Sequence, residues 1–361
     1  MERRVTNPSS TQTLTQLLGI RLPIIQAPMA GTSSAAMAAA VTNAGGLGSI
    51  GVGALDAVGA ATMIAEVRAR TSGPFNVNVF CHQPAAPDHA RETAWIDRLR
   101  PEFARAGAAP PTRLVEIYKS FIVDEDMLHM LLQARPAVVS FHFGLPPRTT
   151  IDALSRAGIV LLATATSLDE ARAIEAAGVD AIVAQGDEAG GHRGVFDPDA
   201  SDDHLGTLAL TRLIVQRAGL PVIAAGGIMD GAGIAAALKL GAAAAQLGTA
   251  FVASDESLAD PAYRALLSGP AAAHTVMTRA ISGRPARVLS NRFAALGAGV
   301  PDAAIPAYPI AYDAGKALHG AAKATGEWGF GAQWAGQGAP LARAMPAAEL
   351  VATLARELAA A

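Results

Sequence analysis

This chain is defined first by what it has little of. Among 361 residues there is one cysteine, Cys81, so no internal disulfide can form and a reducing, cytoplasmic setting is the expected one. Charged residues are only 16%, the formal net charge is −3, and Lys and Arg are scattered rather than blocked. Nothing here offers the basic footprint that nucleic acid requires. A long uninterrupted apolar run is also missing. The best candidate, Gly233–Ala253, is mostly alanine and is broken by Lys239, Gln246 and glycines, which argues against a membrane span. The first twenty residues start basic but no continuous apolar segment follows, so they do not read as a signal peptide.

What is present is ample material for a core, 51% hydrophobic, arranged in a strand–helix rhythm. Strands are expected at Leu22–Met29, Leu47–Val52, Phe75–Phe80, Val138–Phe143, Val160–Thr166, Ala181–Gln185, Val222–Ala225 and Ala244–Val252, with helical patterns between them. Asn76 and Asn78 fall on one face of the third. Eight such units point to a closed (β/α)₈ barrel, an α/β TIM barrel, rather than an open sheet. The rhythm places barrel at 15–80 and 136–255. It pauses over 81–135, read as an excursion above the mouth, and 256–361 is too long for one closing helix, so a smaller, mainly helical cap is expected from both. Ser167 and Asp230 mark helix starts.

Chemistry is expected where the strands end. The apolar run Ala181–Gln185 breaks into GDEAGGHRG, a glycine-rich loop carrying His192. Its flanking glycines position an imidazole without walling it in, although a surface-loop histidine is the plain alternative. Gly226 and Gly227 follow the seventh strand, and Gly248 with Thr249 lies within the expected eighth. These are the two strands whose loops commonly hold a phosphate, and the helix opening near Asp230 would add its positive end; tight turns are the bland reading of the same glycines. His142 ends the fourth strand, but His142, His192 and Cys81 have no metal-ligand spacing, so no metal is expected. Cys81 reads as a small packing residue.

Taken together, QAPMAG, NAGGLGSIG, VSFHFGLP, GVDAIVAQGDEAGGHRG, PVIAAGGIMDG, AAAQLGTAFV, ISGRPAR and WAGQG resemble the nitronate monooxygenase family, formerly 2-nitropropane dioxygenases, in its bacterial-type class I branch. The resemblance runs over nearly the whole chain. It implies FMN as prosthetic group and oxidation of alkyl nitronates, especially toxic propionate 3-nitronate, by O₂ to a carbonyl compound and nitrite or related nitrogen oxides. Carried over motif by motif, it implies flavin contacts at Ala27, Met29, Asn78, Gln185, Gly190, Gly226, Gly227, Gln246, Leu247, Gly248 and Thr249. His192 matches the active-site histidine, and Tyr118, His142, Tyr308, Tyr312 and Lys316 match the substrate pocket. Tyr308, Tyr312 and Lys316 are spaced by four and could share one helical face, with Pro309 in its first turn. After PM this chain reads AGTSS where relatives often have another glycine, which weakens the first-turn contact.

The fold alone leaves rivals open. They are an FMN-dependent NAD(P)H:quinone reductase or enoyl reductase, a non-catalytic flavin-binding protein that would not need His192, and a flavin-free phosphosugar barrel. Oligomeric state is not legible.

Overall fold

The computed structural model describes residues 10–361; residues 1–9, part of the leader judged not to be a signal peptide, lie outside the described residues. Eight parallel strands form one sheet: β1 (Ile24–Gln26), β2 (Gly48–Gly51), β3 (Phe75–Phe80), β4 (Val138–His142), β5 (Val160–Ala165), β6 (Ala181–Gln185), then β8 (Val222–Ala225) and β9 (Ala244–Leu247). The number β7 belongs to a two-residue strand outside this ring, Gly191–His192. The order is β1-β9-β8-β6-β5-β4-β3-β2, and a parallel bridge between Ile25 and Leu47 joins the two ends. The sheet is thus a (β/α)₈ barrel.

Side-chain alternation sorts each strand into an inner and an outer set. Ile25, Leu47, Val138, Leu162, Ala181 and Ile223 pack together inside, beneath them Leu14, Leu18 and Ile20. Helix Ser10–Leu18 therefore plugs the amino-terminal end of the barrel. Further along five of the strands the inner set turns polar: Asn78, Ser140, Thr164, Gln185 and Gln246 line a cavity at the carboxyl end. Outward residues such as Val139, Phe141, Leu161 and Ile182 pack against the surrounding helices.

The eighth outer helix is the last in the chain, Ala347–Ala360, which packs between Gly231–Lys239 and Ala35–Ala44. Everything from Ser254 to Pro346 is therefore inserted between β9 and its helix. Within it, Ile310–Ala324 shares a separate apolar core with His89–Arg105, built from Trp95, Leu99, Phe103, Phe293 and Leu318.

Three expectations need correction. The excursion is shorter than 81–135, because helix Glu125–Ala134 buries Met127 and Leu131 in the barrel's outer layer. The eighth barrel strand ends at Leu247: Gly248 turns the chain and Thr249–Val252 is a short helix. Its residues are buried all round, so period could not separate strand from helix there. Third, the amino end of helix Gly231–Lys239 is closed by carboxylates and offers no open site for a phosphate: Asp230 accepts from Gly233 N and Glu357 from Gly231 N. The segment Gly233–Ala253, judged too interrupted for a membrane span, resolves into most of that helix, β9 and the short helix; among the described residues no helix is long and apolar enough to cross a membrane.

If helix Ser10–Leu18 is the barrel plug, Leu14→Ala should cost about 2–5 kcal/mol through the cavity left in the floor. Urea unfolding checks this, and a loss below about 1 kcal/mol would mean the helix is merely attached.

Candidate active site

A cavity of about 460 Å³ opens at the carboxyl end of the barrel, within the roughly 300–1,000 Å³ of small-ligand sites. Of the expected residues, Ala27, Met29, Asn78, Gln185, Gly190, Gly226, Gly227, Gln246, Gly248 and Thr249 all line it. So do His192, Tyr118, His142, Tyr308, Tyr312 and Lys316. Leu247 does not. It follows the inward Gln246, so alternation turns it to the outer core beside Ile24 and Phe251.

His192 sits in β7, which pairs antiparallel with β11 (Ala286–Leu289); β11 pairs in turn with β10 (Thr275–Thr278). The loop expected from sequence is thus a short strand, with His192 facing the cavity and its neighbour Arg193 turned to Asp202 at 2.7 Å and to the carbonyl of Gln185. Gln185 holds the loop at two points, donating to the His192 carbonyl (3.0 Å) and accepting from Gly194 N (2.7 Å). Glu188 anchors its far side by accepting from Thr207 N and Oγ1.

The imidazole is oriented by Ser282. His192 Nε2 lies 2.9 Å from Ser282 Oγ, a hydroxyl that also has the Arg284 carbonyl within reach at 3.2 Å. In the tautomer where that hydroxyl donates to the carbonyl, it accepts from Nε2–H and Nδ1 is the bare nitrogen. Around the ring stand Trp334, Tyr308, Phe143 and Tyr312, with centroids 5.0, 5.3, 5.5 and 6.1 Å away. Trp334 is held because its carbonyl accepts from Tyr263 Oη and the next turn is tied down, Gly336 N to Thr249 Oγ1 and Gln337 N to the Glu188 carbonyl. That turn lies so close to the β6 loop that a Cβ on Gly190 would stand 2.4 Å from Gly336 N. Glycine is required for that approach.

His142 is locked in the same manner, Nδ1 at 3.0 Å from Thr164 Oγ1 and Nε2 at 3.3 Å from the His192 carbonyl. Asn78 spends its amide hydrogens on Ser140 O and Oγ. Burial pushes His192 down to about 3, with His142, Arg284 and His82 adding to the effect. Burial and then Arg284 take His142 and His82 each to about 4. The phenols move the other way: burial raises Tyr118 and Tyr308, and Tyr312 to about 12, so all three remain donors. Lys316 caps the wall, its Nζ 4.8 Å over Tyr118 and 5.5 Å over Tyr312, and burial lowers its pKa.

At the opposite wall, the main-chain N–H groups of Gly227, Gly248 and Thr249 donate to no acceptor among the described residues. A Cβ on Gly248 would meet only Ala27 Cβ at 3.5 Å and Met29 Sδ at 3.8 Å, so its face is open to the cavity. This is a donor set for an anion.

The family model described as nitronate monooxygenase matches residues 11–357. The chain belongs to the nitronate monooxygenase family. Among its relatives, the nitronate monooxygenase of Paraburkholderia phytofirmans is 63% identical over 98% of this chain and 97% of its own length. That of Pseudomonas aeruginosa is 59% identical over 96% and 99%. Among solved structures, nitroalkane oxidase from Streptomyces ansochromogenes superposes with a TM-score of 0.87 at 44% identity, covering 96% of this chain and 98% of that one. FabK from Thermotoga maritima gives 0.73 at 30% identity over 98% and 97%. Nitronate monooxygenases are flavin-dependent enzymes, and the match to the family runs over nearly all of this chain.

Sequence reasoning did not single out Ser282, Arg284, Phe143, Thr164 or Trp334. Ser282 and Arg284 lie in ISGRPAR and Trp334 in WAGQG, so the motifs held them, but no local pattern says that these segments fold back onto His192.

The depressed histidines set an acid limit on stability. Their folded values, about 3 and about 4, lie below the ordinary value of about 6.5, so the unfolded chain takes up more protons as pH falls. Stability is full above about 6.5 and declines below it, by up to roughly 1.4 kcal/mol per pH unit for each histidine. Urea midpoints measured near pH 7 and about pH 5 should therefore fall, and fall less in His82→Phe. A midpoint that holds level or rises on acidification would contradict the buried, neutral state.

Proposed function

We propose that this cavity binds FMN and oxidises alkyl nitronates, propionate 3-nitronate foremost, with O₂, giving a carbonyl compound and nitrite or related nitrogen oxides. It would act in the cytoplasm as a detoxifying enzyme of the class I branch. The observation that carries the reading is a neutral histidine, fixed at Nε2 by Ser282, beside three protonated phenols and a lysine, in one cavity with an open main-chain donor set.

The residues fit the cofactor. Unengaged N–H groups at Gly227, Gly248 and Thr249, with Gly226 in the same turn, suit one terminal phosphate. The inner polar layer of Asn78, Gln185 and Gln246, with Ala27, Met29 and Gly190, suits a planar ring with a polar edge. Leu247 would contribute through its main chain only. Bound there, the flavin would supply the redox step, taking electrons from the nitronate.

The protein's own part is placement and charge. Tyr118, Tyr308 and Tyr312 can donate to nitronate oxygens because their phenols stay protonated. Lys316 has no carboxylate partner among the described residues and suits the second charge of a carboxylate-bearing nitronate. His192 can accept an α-proton at Nδ1 while Ser282 holds its Nε2–H, or, with a preformed nitronate, serve only to position it. Phe143 and Trp334 keep water from the reacting atoms.

His192→Asn separates these roles. Asn retains a donor but cannot hold a proton at neutral pH, so activity on a neutral nitroalkane should fall by roughly a hundredfold or more, and activity on its nitronate by less. If the native enzyme ignores neutral nitroalkanes, His192 positions the nitronate and its replacement lowers that turnover. Oxygen uptake with both ionisation states of one substrate reads the difference. Unchanged rates on both, in flavin-replete variant protein, would remove His192 from the mechanism.

A further inference from the structure

Three arginines around the site are buried: Arg193, Arg284 and Arg287. Two are neutralised in place, Arg193 by Asp202 at 2.7 Å and Arg287 by Asp187 at 2.6 Å. Arg284 is different. It donates to the carbonyls of Val195 and, at 3.4 Å, of Phe196, its Nε is buried without an acceptor, and among the described residues no carboxylate is in ion-pair contact with it. Burial draws its pKa down to about 10; Tyr308, Glu170 and Asp197 oppose that shift from a distance and Arg279 adds to it. The guanidinium is therefore charged at neutral pH.

Its central carbon stands 4.3 Å from the centroid of the Phe143 ring. Phe143 has φ +75°, a conformation that a bulky side chain rarely adopts and that tends to persist at functional sites. The same ring lies 4.5 Å from His142, 5.4 Å from Tyr308 and 5.5 Å from His192. A shielded cation thus stands within about 10 Å of His192, with one aromatic ring in contact with both.

We propose that Arg284 is a specificity-determining residue: a fixed positive charge behind Phe143 that favours anionic ligands in the cavity independently of ionic strength. The inference rests on reading the cavity as a nitronate site. A buried, unpaired cation is costly, and an anion entering the cavity offsets part of that cost. At about 10 Å and an effective dielectric of about 20, the attraction corresponds to roughly a tenfold gain in affinity. Lys316 is only partly enclosed and reaches solvent, so its pull is screened by salt far more than that of the enclosed Arg284.

The test is calorimetric titration of the holoenzyme with nitrate, a planar monoanion resembling the nitronate head, and with acetamide as a neutral planar control, at low and at high ionic strength. Arg284→Gln keeps a donor for the Val195 carbonyl but no charge; it should weaken nitrate binding roughly tenfold at both ionic strengths and leave acetamide alone. Arg284→Lys should retain most of the nitrate affinity. Unchanged nitrate affinity in Arg284→Gln overturns the proposal, as does native enzyme that does not prefer nitrate to acetamide. Should Arg284→Gln fail to fold, Lys316→Gln decides: its remaining nitrate affinity should be insensitive to salt, and its collapse at high salt overturns the proposal. Nitronate turnover is measured separately. Its absence in native enzyme with the expected nitrate pattern would defeat the nitronate reading and keep the charge, and the reverse pattern would do the opposite.

Discussion

The mouth of this barrel depends on one hydrogen bond, from His192 Nε2 to Ser282 Oγ. His192 belongs to the loop after β6 and Ser282 to the long insertion after β9, so this contact ties the barrel wall to the segment that covers it. The pairing of His192 with Ala286 adds main-chain bonds in the same place. Remove the constraint and the imidazole loses its tautomer, its facing and its distance from Tyr308 and Trp334 together. The surrounding network then reads as reinforcement: Gln185 on the His192 carbonyl, Thr164 on His142, and the glycine-to-glycine approach of residues 190 and 336.

The electrostatics follow from the same enclosure. Inner strand residues change from mainly apolar at the plugged end to amide, hydroxyl and imidazole at the open end, which concentrates the polar groups at the mouth. Enclosure and the charge of Arg284 keep three imidazoles neutral, and enclosure keeps three phenols protonated against the pull of Arg284 on Tyr308. A neutral base, neutral donors and fixed cations suit an anionic substrate.

Much of this was legible in the sequence because buried parallel strands are short, apolar and bounded by glycine. β3, β6 and β8 match their expected bounds, and Asn78 of β3, Gln185 of β6 and the glycine pair after β8 are cavity residues. What escaped reading was set by long-range packing. Thr249–Val252 is apolar on all sides and so carries no period. Glu125–Ala134 seemed part of an excursion because the chain visits the cap before returning to the ring. The strand at Gly191–His192 exists only because residues almost a hundred positions later pair with it. Leu247 was assigned to the site by its motif, and simple alternation from Gln246 would have turned it outward.

The central proposal is that this cavity would hold a flavin, which would supply the redox chemistry between a nitronate and oxygen. The most direct measurement is oxygen uptake and nitrite release by the purified, flavin-replete protein given propionate 3-nitronate, set beside anaerobic mixing with NADH or NADPH. The account predicts rapid oxygen consumption with nitrite formation from the nitronate and a flavin that stays oxidised with either nicotinamide. A flavin bleached at once by NADH or NADPH, with no oxygen uptake on the nitronate, would contradict it and make the protein a reductase on the same scaffold.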